Sequence, residues 1–226
     1  MEARGFMSLD KVSIPNYSRK QENFNALSHA LGLLIALFMF VFSVIKLMKA
    51  EITTLYFFGL LIFALSITLV YLVSAIYHYL NKDNIHKKLF RVLDHCTIYL
   101  LIAGTYTPIC FTLFNVHIVG LVMLVIEWSG ALLGIILNAF FFDKKATQIT
   151  SFILYVVMGW LALYSGGFLY MDKFVFLFIL LGGITYTIGS ILYAFGHHHT
   201  SFHSIFHVFV LISTILQTIG IILLFK

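Results

Sequence analysis

Charge is scarce in this sequence. Asp, Glu, Lys and Arg make up 10% of its 226 residues, against about 25% in soluble globular domains. The polar surface that a water-soluble fold of this length needs is missing. Cysteine is also rare, with only Cys96 and Cys110. Both fall on one predicted helix, and fourteen helical residues span roughly 21 Å, so the two cannot be joined as a disulfide. They read as buried thiols between helices. There is no repeat array, low-complexity tract or soluble module, and the short connections leave no room for a second domain. No cleavable secretory signal is expected: residues before Ala26 lack an apolar core, and the first apolar run is too long for a signal peptide, so it reads as a retained signal-anchor.

Apolar residues are abundant: 61% of the chain is hydrophobic and 17% aromatic, and the mean hydropathy is +1.01. Seven apolar segments stand out, at roughly 26–48, 54–80, 92–114, 117–140, 148–169, 174–195 and 203–225. Each has about 20 residues or more, enough to cross a ~30 Å hydrocarbon core as a helix. The predicted fold is an all-α integral membrane protein, a seven-transmembrane-helix bundle. Residues 1–25 form a cytoplasmic N-terminal segment and 26–226 a single transmembrane domain. Basic residues set the orientation. With the N-terminus inside, the inner segments carry Arg4, Lys11, Arg19, Lys20, Lys82, Lys87, Lys88, Arg91, Lys144 and Lys145, and the outer ones Lys46, Lys49, Lys173 and Lys226. That asymmetry places the N-terminus in the cytoplasm and the C-terminus outside. The net charge of +5 then suits the anionic inner membrane face rather than nucleic acid. Gly166-Gly167, Gly182-Gly183 and Pro108 read as helix-packing features.

Polar groups inside membrane helices are expensive and are often functional. In this topology His29, His78, Asp94, His95, His203 and His207 all fall at the inner ends of their helices. The basic-residue rule did not use them, so their gathering at one depth is independent of it. His203 and His207, spaced i, i+4, share one helix face. Two imidazoles so placed can bind one Zn²⁺, and His78 is the best-placed third ligand. Three histidines leave one tetrahedral position for water, as in catalytic zinc sites. Asp94 would hold that water or act as a general base, and Ser74 lies one turn before His78 on the same face. A pairing of His199 with His203 is the competing arrangement, although Gly196 and the polar run place His197 to His199 in a loop. Glu22, Asn25 and His29 read as a polar cluster at the start of the first helix, with a lid over the metal as the alternative. His95 reads as structural. Glu127, mid-helix, reads as a packing acid away from the metal.

The motifs Glu22-x-x-Asn25-x-x-x-His29, Ser74-Ala75-Ile76-Tyr77-His78, Leu93-Asp94-His95 leading to Ala103-Gly104-Thr105-Tyr106-Thr107-Pro108, and His203-Ser204-Ile205-Phe206-His207 occur in this order. With them the chain resembles the hemolysin III branch of the progestin and adipoQ receptor family, from about residue 22 to the end. The resemblance implies zinc bound by His78, His203 and His207, with Asp94 close to metal and water, and Ser74 behind the ligands. It places the site toward the cytoplasmic side. The family is also similar to membrane hydrolases with ceramidase activity, and its bacterial members are associated with hemolysis or lipid homeostasis. The long N-terminal region of the animal receptors is missing here, which favours the bacterial-type branch over hormone reception.

Together these readings point to a multi-pass cell-membrane protein that hydrolyses a lipid amide or ester with zinc, its partners being membrane lipids such as ceramide. Two other classes remain open. One is a hemolytic, pore-forming protein, which the absence of a soluble state disfavours. The other is a sensor of membrane composition braced by structural zinc.

Overall fold

The structure, a computed structural model, describes residues 9–195 and 201–226. A 3₁₀ turn at Leu9–Lys11 and an extended stretch lead into α1 (Arg19–Met48). The order then runs α2 (Thr54–Tyr79), α3 (His86–Phe114), α4 (Val119–Phe141), α5 (Lys145–Gly159), α6 (Leu161–Tyr164), a 3₁₀ turn at Gly167–Tyr170, α7 (Lys173–Phe195) and α8 (Ser201–Leu224). Among the described residues six helices, all but α5 and α6, are long and apolar enough to cross a membrane. The chain is an all-α, multi-pass membrane protein.

Helix α1 starts at Arg19, seven residues before its apolar run, because Ser18 caps it. The Ser18 hydroxyl accepts from Gln21 N at 3.3 Å, and the Gln21 side chain accepts from Ser18 N at 2.9 Å. This reciprocal pair satisfies two otherwise orphaned donors. It carries Glu22 and Asn25 into the bundle as helical residues.

Helix α1 packs on α2, α2 on α3, α3 on α4, α4 on α5 and α7 on α8, and α8 returns against α1 and α3. The exposed stripe Leu27, Leu31, Leu34, Phe38, Val41, Ile45 and Met48 on α1 is apolar throughout, as a lipid-facing helix requires. The interior is where the hydroxyls are. Ser43, Ser66, Thr105, Thr107 and Ser213 are buried, and each donates to a carbonyl three or four residues back on its own helix. Small residues set the closest approaches. A Cβ on Gly32 would enter the Tyr71 ring, one on Gly104 the Ser66 side chain, and one on Gly134 the Tyr99 ring. Gly182 likewise packs on Gln217, but Gly183 faces open space, so only one of that pair is a packing glycine. Gly166 serves a turn, at φ 72°, and Gly167 packs on Met123.

The fifth apolar segment differs from an unbroken helix. It is helical over Lys145–Gly159, breaks at Trp160 (φ −104°, ψ 9°), and resumes for the four residues of α6. The Tyr106 hydroxyl of α3 fills the break. It donates to Gly159 O at 2.9 Å and accepts from Ala162 N at 3.3 Å. A side chain from another helix thus replaces backbone bonds that hydrocarbon could not. At one end Tyr155 OH donates to His95 O at 2.8 Å. At the other Tyr170 stacks on His117 with ring centroids 4.6 Å apart.

Cys96 and Cys110 are both buried and free, as their spacing requires. Pro108 lies inside α3 and is buried in the bundle.

Gly120 tests the packing rule. Its Cβ would meet the backbone at the end of α3, 2.3 Å from Phe114 N, 2.6 Å from Cys110 O and 2.8 Å from Leu113 C, and backbone cannot swing aside as a side chain can. Gly120→Ala should destabilise the detergent-solubilised protein by about 1–3 kcal/mol. Gly183→Ala, with nothing within 4 Å, should leave the unfolding temperature unchanged. Equal shifts in the two variants would refute the assignment.

Candidate metal centre

At one end of the bundle three imidazoles converge. His78 comes from the last turn of α2, and His203 and His207 from the first two turns of α8. They are 0%, 7% and 1% exposed. His203 Nε2 lies 3.2 Å from His78 Nε2 and 3.0 Å from His207 Nε2. Each histidine offers one ligand atom within 4.8 Å of the other two, so the group could hold a metal ion. The i, i+4 spacing brings His203 and His207 together, and the α2–α8 approach adds His78.

The donor set fits a metal. Two ligands at 2.0–2.1 Å around a tetrahedral ion lie about 3.3 Å apart, close to the nitrogen separations present here. Three ring nitrogens crowded at this distance need protons or a cation between them. The orientation of His78 is fixed from behind, since its Nδ1 lies 2.6 Å from Glu22 Oε2. A carboxylate on the far ring nitrogen selects the tautomer that leaves Nε2 free to ligate. Among the described residues the Nδ1 atoms of His203 and His207 have no such partner.

Two residues that sequence reasoning left outside the site belong to its frame. Glu22, read as part of a polar cluster at the start of the first helix with a lid over the metal as the alternative, is bonded to His78. Its second oxygen accepts from Lys87 Nζ at 2.8 Å. Lys87 itself was read only as one of four basic residues of an inner segment. Glu22, Asn25 and His29 recur at i, i+3 and i+7, which puts them on one helix face, and that spacing was the signal available. His29 lies against His207, centroids 3.9 Å apart, and meets Tyr71 edge-on at 5.1 Å. Asn25 is fully buried between Glu22 and His29 on this face, and neither the nitrogen nor the oxygen of its amide has a partner among the described residues.

Ser74 stands one turn before His78, 1% exposed, and its Oγ has no partner among the described residues. Unlike Ser43, Ser66, Thr105, Thr107 and Ser213, it does not bond a carbonyl of its own helix. Asp94 is half-buried on α3. Among the described residues no hydrogen bond joins its carboxylate to the histidines. His95 is structural in its contacts: Nδ1 donates to Arg91 O at 3.0 Å, and Nε2 lies 3.4 Å from Tyr193 OH. Glu127 is fully buried mid-α4, and among the described residues neither of its oxygens has a partner. The competing arrangement through His199 lies outside the described residues.

The segment before α1 crosses this end of the bundle. Val12, 2% exposed, packs with Val92, Cys96 and Phe142. Lys82 donates to the Asn16 side chain, Lys88 to Asp10 O at 3.2 Å and Arg91 to Ser13 Oγ at 3.2 Å. These ties bring Tyr17 onto His203, with rings parallel within 15° and centroids 4.8 Å apart. Burial above all, with the charges of Glu22 and Asp94 nearby, pushes the Tyr17 phenol well above its ordinary range, so the ring stays neutral over the site. No sequence signal marked it. Tyr17→Ala should expose His203 and speed its modification by diethylpyrocarbonate several-fold, read by peptide mass spectrometry. An unchanged rate would show that Tyr17 does not cover it.

The sequence matches the family described as "Haemolysin-III related" over residues 17–218. It is 35% identical over 194 residues to the Hemolysin-3 homolog of Bacillus subtilis (strain 168), covering 83% of this chain and 88% of that protein. It is 34% identical over 195 residues to Hemolysin-3 of Bacillus cereus, covering 85% and 86%. A multi-pass helical bundle with a buried triad of histidines, matched along nearly its whole length, belongs to the haemolysin-III-related family of membrane proteins.

Proposed function

We propose that this protein is a zinc-dependent hydrolase of lipid amides or esters, working on lipids of the cell membrane. The observation that carries the reading is the convergence of His78, His203 and His207 on one buried point. The site also holds unpaired polar atoms, on Asn25, His29 and Ser74, where a substrate's polar group could bond. A purely structural zinc would have no use for them.

His78, His203 and His207 would hold the metal. When bound, zinc supplies a Lewis acid and activates water near neutral pH. The chain's own groups do the rest. Ser74 Oγ donates a hydrogen bond to the oxygen of the scissile carbonyl as charge develops there. Asp94 takes the proton of the attacking water and returns it to the leaving amine or alcohol. Water adds to the carbonyl carbon, the C–N or C–O bond breaks, and the products are a fatty acid and an amine or alcohol. Tyr17 over His203 restricts access from the aqueous side, so a lipid enters between helices.

In the membrane we place seven crossings, with residues 1–25 and the histidine site toward the cytoplasm and the C-terminus outside. The contacts of the broken fifth segment with His95 at one end and His117 at the other support its crossing. The clustering of Lys82, Lys87, Lys88 and Arg91 at the histidine end supports that end as cytoplasmic.

The names of the two Bacillus relatives suggest a second reading, membrane lysis. It is distinguished by the same samples. Purified wild type should carry about one zinc per chain and hydrolyse ceramide or another acyl amide. His207→Ala should lose both zinc and turnover. Zinc without turnover would shift the reading to a structural ion in a membrane sensor. Leakage from protein-free-lipid vesicles caused equally by metal-free protein would favour lysis. A cysteine placed at Lys226 should react with an impermeant maleimide from outside intact cells, and protection there would overturn the seven-crossing orientation.

A further inference from the structure

Lysine is almost never fully buried unless it is paired, yet Lys87 is 0% exposed. It is the second residue of α3, and its side chain turns inward, where the neighbouring Lys82, Lys88 and Arg91 turn to the segment over the site. Two of its three donors are engaged. One goes to Glu22 Oε1 at 2.8 Å and one to Leu80 O at 2.7 Å. Its ammonium also lies 5.0 Å from the centroid of the Tyr77 ring, an attractive placement for a cation. Leu80 is the C-cap of α2, two residues beyond His78. Carbonyls at a helix end have no partner within the helix. Lys87 therefore grips the end of α2 and the carboxylate of α1 together.

We propose that Lys87 is a positioning residue of the metal centre, acting through Glu22 to hold His78 in its ligating orientation and so raising the affinity of the site for zinc. The proposal rests on the metal reading above. Each oxygen of Glu22 has one partner: Oε1 takes Lys87, and Oε2 takes His78 Nδ1 at 2.6 Å. With Oε1 held, the carboxylate cannot rotate away, and the imidazole plane of His78 is set with Nε2 facing His203. Burying the carboxylate without a counter-charge would be costly, and Lys87 supplies that charge. The line Lys87–Glu22–His78 ties α3, α1 and α2 to one ring nitrogen.

The test is a double-mutant cycle on full-length protein in detergent, with Zn²⁺ affinity read by competition against a chromophoric chelator. Lys87→Met and Glu22→Gln should each weaken zinc binding by about 10–100-fold, the usual effect of losing a partner behind a metal ligand. The double variant should bind no more weakly than Glu22→Gln alone, because Lys87 acts through Glu22. Lys87→Arg, which keeps the charge and the donors, should recover most of the affinity. If Lys87→Met does not fold, Lys87→Gln retains a neutral donor for Leu80 O without the charge, and the same loss is expected.

Wild-type affinity in Lys87→Met or Lys87→Gln would overturn the proposal, as would effects that multiply in the double variant. A lower unfolding temperature of the metal-free protein with unchanged zinc affinity would confine Lys87 to its Leu80 contact and also overturn it. A wild type that binds no zinc would take down the metal reading and this one with it. Normal binding that ignores Lys87 would take down this one alone.

Discussion

Hydrocarbon offers no hydrogen bond, and the placement of nearly every polar side chain in this bundle follows from that. The lipid face is left to leucine, isoleucine, valine and phenylalanine. Hydroxyls turn inward and bond the carbonyls of their own helices, which costs nothing in helix–helix approach. Where a backbone bond is missing, as at Gly159 to Ala162, another helix brings a hydroxyl to the gap. Against this background, polar groups that lack partners are conspicuous. Asn25, His29, Ser74, His203, Ser204 and His207 account for most of them, and all gather near one end of the bundle. The exceptions away from that end are the two Glu127 oxygens and the Thr218 hydroxyl.

The charges at that end divide into two sets. Lys82, Lys88 and Arg91 lie near water and tie down the segment from Asp10 to Asn16 through exposed hydrogen bonds. Such bonds are individually weak and exchange readily with water. Lys87 and Glu22 are buried and face each other, and their pairing is the condition for either to be there. The outer set covers the site and the inner set shapes it. The orientation rule for membrane proteins counts all four basic residues alike, although only three of them serve the surface.

The histidine site also depends on the order of contacts. His203 and His207 meet because they are four residues apart on one helix, a local fact. His78 joins them because α8 folds back against the helices of the first half of the chain. Glu22 joins because α1 begins before its apolar run, which the Ser18–Gln21 capping pair makes possible. Shortening α1 by a turn at its start would leave His78 without its carboxylate and would free Tyr17 from its place over His203.

Much of the fold was legible in the sequence because a membrane imposes it. Apolar runs long enough to span hydrocarbon must be helical, and short connections make neighbours antiparallel. The i, i+4 spacing of His203 and His207 and the i, i+4 relation of Ser74 to His78 follow from helix geometry alone. The break in the fifth segment was not legible, since Val156 to Leu163 reads as helix and the cause, Tyr106, lies more than fifty residues away. The depth of Lys87 was not legible either. Its neighbours in sequence are equally basic, and only the closure of α1 and α2 around it makes burial tolerable. Tyr17 gave no signal, being one tyrosine among twelve in a segment without periodicity. By itself the sequence determined the class of fold, the helices and the residues able to ligate, because these rest on hydropathy and helical repeat. Tertiary structure alone decided which carboxylate backs His78, which lysine holds that carboxylate and which ring covers the site, because each depends on contacts between segments far apart in the chain.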